Sequence, residues 1–214
     1  MIKKLLALFL GVLFLLPFAQ DAFGKWVHFG VSAGSFPFMY LNNYCIKGEL
    51  GFQLSERVGI LAEIGYCFMT SESESRGTSN SYTSSSESKN TYTIFPISAS
   101  LLYTAPLGKN LSAYIGAGIG YYKVKLKNEY TYTSHWSGTE TDVDEEEGDG
   151  IIPHISIGLD FSIADQVSLF GELKQGVGKI IFEETESEYY TDYYSRDTYP
   201  VGGTEVRIGL RFSF

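Results

Sequence analysis

His154 and Ser156 stand two residues apart, and Glu172 follows on what reads as the next extended segment. A serine hydroxyl activated by an imidazole that a carboxylate orients is the chemistry of acyl transfer. Side chains two apart share one face of a strand, so a regular hairpin would bring all three together. The same groups also make an ordinary interior polar network. The acidic run Asp142, Asp144, Glu145, Glu146, Glu147 and Asp149 could attract divalent cations. Its Gly148 is misplaced for an EF-hand turn, and a solvated acidic loop explains the run more simply. His28 falls near the short-turn rim and His154 near the long loops, and His135 with Trp136 occupies a loop tip, so no shared metal site and no cofactor is expected. Lys123, Lys125 and Lys127 share one face of a further segment, and Cys45 and Cys67 are the two cysteines.

These residues lie in or beside segments that alternate apolar and polar residues with period two, the pattern of strands with one greasy face. The first carries Val27, Phe29, Val31 and Ala33 and ends at Phe36 and Pro37; the second carries Ile46, Leu50, Phe52 and Leu54. After a turn at Ser55 to Arg57, the third presents Val58, Ile60, Ala62, Ile64, Tyr66 and Phe68. Phe95 to Tyr103 and Ala113 to Tyr121 follow around the turn Ala105 to Asn110, and Ile155 to Phe161 and Val167 to Lys174 around the turn Ile163 to Gln166. The eighth alternates from Val206 through Ile208, Leu210 and Phe212 to Phe214.

Three long polar segments, Thr70 to Asn90, Asn128 to Gly150 and Glu183 to Gly203, separate strand pairs that short turns otherwise join. Consecutive antiparallel strands put every second connection at the same end, so short turns gather at one rim and long loops at the other. The flanks of those loops are rich in strand-forming Tyr and Thr, among them Tyr92, Tyr130, Tyr132, Tyr189, Tyr190, Tyr193 and Tyr194. That composition lets the strands run on well beyond the alternating segments, where open edges can capture an extended partner.

A length of 214 residues suits one domain, and a net charge of -9 argues against a nucleic-acid backbone as partner. Lys3 and Lys4 precede an apolar run from Leu5 to Phe18, then Ala22, Phe23 and Gly24. Residues 1–24 therefore read as a secretory signal, leaving 25–214 as the single strand-bearing domain. The run is shorter than the roughly 20 residues a spanning helix requires.

The alternating final run with its terminal Phe, the eight strands and the alternation of short and long connections resemble the small outer-membrane β-barrels of the OmpX, OmpA-domain and OmpW-like class. The resemblance implies an all-β fold, an eight-stranded antiparallel up-and-down transmembrane β-barrel with short periplasmic turns and long extracellular loops. It also implies Sec-dependent export to the outer membrane of a diderm bacterium, and Phe212 and Phe214 as the signal read by the barrel assembly machinery. The aromatics fit interfacial girdles, with Phe52, Tyr103, Phe161, Phe212 and Phe214 toward the short-turn rim and Tyr66, Phe68 and Tyr121 toward the other. The opposite face carries Lys47, Lys174, Arg207 and Arg211 against Glu49, Glu63, Asp160 and Glu172. An interior of eight strands is just wide enough to be filled by side chains, and buried charges persist only when paired, so these eight read as a closed interior network.

Cys45 and Cys67 fall opposite each other on neighbouring strands, as a disulfide in an oxidising compartment or as two packed thiols. Lys123, Lys125 and Lys127 lie just above the upper girdle, where lipopolysaccharide phosphates would meet them. The expected function is that of a non-enzymatic surface protein whose extracellular loops serve adhesion, partner binding or envelope integrity. Its partners would be outer-membrane lipid and lipopolysaccharide and an extracellular protein. An alternative is a narrow OmpW-like channel for small or hydrophobic solutes, with Gly116, Gly118 and Gly120 leaving room inside. A further alternative is a lipid A deacylase, because the His154-x-Ser156 pair resembles that family, although its flanking Asn-rich motif is missing.

Overall fold

A sheet with one apolar face has edges of unpaired backbone, and closing the sheet on itself removes them. The computed structural model, which describes residues 27–38, 41–79, 82–134, 138–188 and 191–213, shows that solution. Its strands are β1 (Val27–Phe38), β2 (Leu41–Gln53), β3 (Val58–Ser79), β4 (Tyr82–Pro106), β5 (Leu111–Ser134), β6 (Gly138–Ala164), β7 (Val167–Glu188) and β8 (Thr191–Ser213). Each pairs antiparallel with the next, and β8 closes the barrel on β1. The expected signal segment, His135, Trp136, Tyr189, Tyr190 and Phe214 lie outside the described residues.

The short turns at the lower rim are built as the sequence suggests. At the first, the Leu54 amide donates to the Val58 carbonyl at 2.8 Å and the Val58 amide donates to the Ser55 hydroxyl at 3.2 Å. Alternation sends Ile64, Ile97, Ile119, Ile155 and Ile208 outward, where all are exposed. Phe52, Tyr103 and Phe161 ring that apolar band below and Tyr66, Phe68 and Tyr121 above, also exposed. Phe212 stands at the lower rim between Phe29 and Val167.

The strand expected at the Tyr- and Thr-rich flanks carries on through nearly all of the three long polar segments, including the Ser- and Glu-rich stretches expected as loop. The β3–β4 ladder continues to Ser79 opposite Tyr82, β5–β6 to Ser134 opposite Gly138, and β7–β8 to Glu188 opposite Thr191. Cross-strand pairing of β-branched and charged side chains holds these extensions, because directly opposed residues interact across a ladder. Thr131 faces Thr141 with hydroxyls 3.2 Å apart, Thr133 faces Thr139 at 3.1 Å, and Lys89 Nζ is 3.1 Å from Glu72. Gly138, at φ 78, takes the left-handed conformation that begins β6.

A tilted strand crosses a bilayer in about 9–11 residues. β1 and β2, with 12 and 13 residues, barely exceed this, whereas β3 to β8 run to between 22 and 27. Six strands therefore rise well above the upper girdle as an open, curved sheet, and the first hairpin stays low.

Candidate functional site

Inside the barrel, every second side chain points to the axis, and the inward residues form successive layers. At the short-turn end a cavity of about 230 Å³ opens downward, lined among others by His28, Leu102, Tyr114, Asp160, Gln166 and Arg211. Its floor is Arg211, whose guanidinium carbon lies 4.0 Å from the Phe170 ring centroid and 4.9 Å from that of Tyr114. Both rings have room because glycine lies beneath them: a Cβ on Gly209 would come within 2.6 Å of Phe170, and one on Gly158 would collide with Tyr114.

Above that floor stands a chain of alternating charges. Arg211 binds Glu49 through Nε and Asp160 through Nη1 at 2.8 Å. Arg207 reaches Glu172 at 2.7 Å, Glu49 at 3.5 Å and Glu63. Lys174 holds Glu63 and lies 3.8 Å from Glu172. Ser98 and Tyr114 complete the carboxylates' shells, donating to Glu63 at 2.7 Å and to Glu172 at 3.0 Å. The structure thus brings all eight sequence-identified charges into the lumen, with Asp160 nearest solvent. Lys47, however, pairs with Glu205 at 2.5 Å, a residue the sequence reading left out. Glu205 has the same strand parity as Arg207, so carrying the final alternation back by one more inward position would have found it.

Higher still the lining turns apolar. Phe36, Met69, Tyr92, Ile94, Tyr122, Val124, Ile152, Ile180, Phe182 and Val201 form one buried cluster around Cys45 and Cys67. The cysteines are joined by a disulfide across the β2–β3 ladder, at its penultimate pair. This apolar tier was not foreseen. Its signal is the loss of alternation where both faces become apolar, as at Phe68–Met69, Ile94–Phe95, Tyr121–Tyr122, Ile151–Ile152 and Ile180–Ile181.

The space expected over three glycines is occupied. A Cβ on Gly116 would lie 2.6 Å from Leu102 and Ser156, one on Gly118 2.7 Å from Ser100, and one on Gly120 2.7 Å from Tyr122. The acyl-transfer constellation is also not assembled. His154 Nε2 is 2.8 Å from the hydroxyl of Ser100, Ser156 stands opposite Lys174, and Glu172 is engaged by Arg207 and Tyr114. Among the described residues no group of three His, Cys, Asp or Glu is placed to hold a metal ion.

Outside, above the girdle, Lys123, Lys125 and Lys127 do form a stripe, but carboxylates accompany it. Lys123 lies 2.6 Å from Glu147, which also pairs with Lys125, and Lys127 is 2.6 Å from Glu129. The hydrogen bond from Lys123, then that from Lys125, holds the Glu147 carboxyl down at about 2. Reciprocally, the hydrogen bond to Glu147 raises Lys123, and that to Glu129 raises Lys127. The stripe is a charge ladder between β5 and β6, with little uncompensated positive charge for lipid phosphates.

A filled eight-stranded barrel with an apolar belt between two aromatic girdles is the architecture of an outer-membrane protein, and the outer membrane protein beta-barrel domain family matches residues 5–212. The chain belongs to that family. The outer membrane of a Gram-negative bacterium is the location that follows. Among solved structures, OprG from Pseudomonas aeruginosa shares the fold at 10% identity with a TM-score of 0.54, over 88% of this chain and 95% of that one. Neisserial surface protein A is similar at 12% identity and a TM-score of 0.47, over 88% and 96%. Ail, the attachment invasion locus protein of Yersinia pestis, is similar at 11% and 0.40, over 88% and 97%. No curated protein sequence matches. As a member of this family, the barrel crosses the membrane with the strands below the upper girdle and projects the extensions of β3 to β8 outward.

Proposed function

We propose that this barrel is a non-enzymatic, non-conducting surface protein whose working part is the extracellular sheet. The carrying observation is that the lumen is filled twice over, first by the charge chain around Arg207 and then by the apolar tier around Val124. Ions would have to break buried pairs in the first and enter a dry, packed core in the second. In contrast, the extensions expose Tyr130 and Tyr132 among Ser and Thr, a composition that suits recognition because tyrosine offers contact area with little side-chain entropy to lose. Adhesion, partner binding and envelope integrity all use such a surface. In the same reading, residues 1–24 direct export and Phe212 with Phe214 marks the final strand for assembly. The lysine stripe contributes to lipopolysaccharide contact only where phosphate displaces Glu147 or Glu129.

Planar-bilayer recording of the purified, folded barrel tests this reading. No steady current is expected. A stable conductance that changes when Arg207 or Glu172 is neutralised would mean that the charges line a pore.

A further inference from the structure

Among the described residues, the upper wall of the barrel is incomplete on one side. The β2–β3 ladder stops at Tyr44 opposite Phe68, and the β1–β8 ladder at Ser35 opposite Val206. β1 and β2 end at Phe38 and Leu41, while β3 continues up to Ser79 and β8 descends from Thr191. Among the described residues above the first hairpin, β3 keeps only β4 beside it and β8 only β7. Lower down, the interval between β8 and β3 holds two strands, so the opening above them is two strands wide, about 14 Å at the usual spacing of ~4.8 Å.

The two edges bounding this slot run in opposite senses, β3 away from the membrane and β8 toward it. A hairpin entering from above, descending beside β3 and returning beside β8, would pair antiparallel on both sides. It would also satisfy two rows of edge N–H and C=O groups, the feature that makes open edges adhesive.

The chemistry facing the slot is directional. At its base the inner face is apolar, with Met69, Val201 and Tyr199 at the margin of the buried cluster. Above that, β6 turns Glu140, Asp142 and Asp144 to the same inner face, and β8 adds Asp197 opposite inward-pointing Phe182. Among the described residues no Lys or Arg faces them there, whereas the outer-face carboxylates Glu72, Glu129 and Glu147 all have lysine partners. We propose that the slot receives a β-hairpin of a protein partner, apolar at its tip and basic on its inward-facing positions above. This rests on the reading of the extracellular sheet as the working part, and names what that sheet takes.

The test uses the full-length folded barrel in lipid nanodiscs. The probes are two cyclised hairpin peptides, identical except for Lys or Glu at the inward positions. The Lys hairpin should bind and should weaken at least about tenfold in the Asp142→Asn/Asp144→Asn variant or at high salt; made with one cysteine activated as a pyridyl disulfide, it should exchange with the thiolate of Ser73→Cys on the β3 edge, forming the mixed disulfide and releasing pyridinethione. Equal binding of both hairpins, or undiminished affinity in the Asn variant, would overturn the proposal. So would a dimer cross-linked through Ser73→Cys, which would put a second copy in the slot. A steady current through the wild-type barrel would remove the closed-barrel reading and leave the hairpin result standing, so the two failures are distinguishable.

Discussion

At the height of Arg207 the lumen holds guanidinium and ammonium groups interleaved with Glu49, Glu63 and Glu172; at the height of Val124 it holds Ile94, Ile152, Ile180 and Phe182. Both levels are buried and both fill the same cylinder of strands. They differ in what a single change leaves behind. Removing one member of an ion pair strands its partner's charge in a buried site, whereas removing an apolar side chain leaves a void that its neighbours partly close. The charged tier is therefore directional and unforgiving, and it fixes which strands face which. The apolar tier is tolerant, and it sits where the first hairpin ends and the ring of strands becomes incomplete.

The largest difference should appear at Lys47, whose buried partner is Glu205. Lys47→Met should destabilise the folded barrel by about 3–5 kcal/mol, read from urea unfolding in lipid vesicles, while Lys47→Met with Glu205→Leu should recover most of that loss. If the double variant is no better than the single, the charges act by something other than mutual compensation. In the apolar tier, Ile152→Ala should cost about 3 kcal/mol with no such rescue by a second substitution, since the loss is a cavity. Replacing both Cys45 and Cys67 by Ala should cost about 2 kcal/mol by the same measurement, because the cross-link holds β2 to β3 just below the point where their ladder ends.

The smallest effect belongs to the exposed ladder. Glu147 has its folded pKa lowered to about 2 from an ordinary 4.5. Its stabilising contribution is therefore fully present above the ordinary value and is lost as pH falls through the lowered one. Lys123→Ala with Lys125→Ala should move the Glu147 titration, followed by carboxyl NMR, back toward its ordinary value, with little change in unfolding.

The sequence made the eight strands legible because one apolar face outside demands strict alternation, and Ile64, Ile97, Ile119 and Ile208 supply it. The charged tier was legible for the same reason: Arg207, Glu172, Lys174 and Glu63 interrupt the inner face of otherwise small residues. Glu205 escaped because the final strand was begun one residue too late, at Val206. The apolar tier escaped because alternation fails there. With Ile151 outward and Ile152 inward, the two faces carry the same chemistry and period two no longer distinguishes them. The extensions were half visible, since Tyr and Thr argued for strand while Ser and Glu argued for loop, and cross-strand pairs that no single segment displays decided the outcome.

That the lumen is sealed twice, independently, is tested most directly by single-channel recording on Tyr122→Ala/Ile152→Ala, with folding verified by the intact Cys45–Cys67 disulfide. The expected trace has no steady current, because the charge chain from Asp160 to Lys174 still closes the barrel below. A stable open level in this variant would contradict the account and make the apolar tier the sole seal.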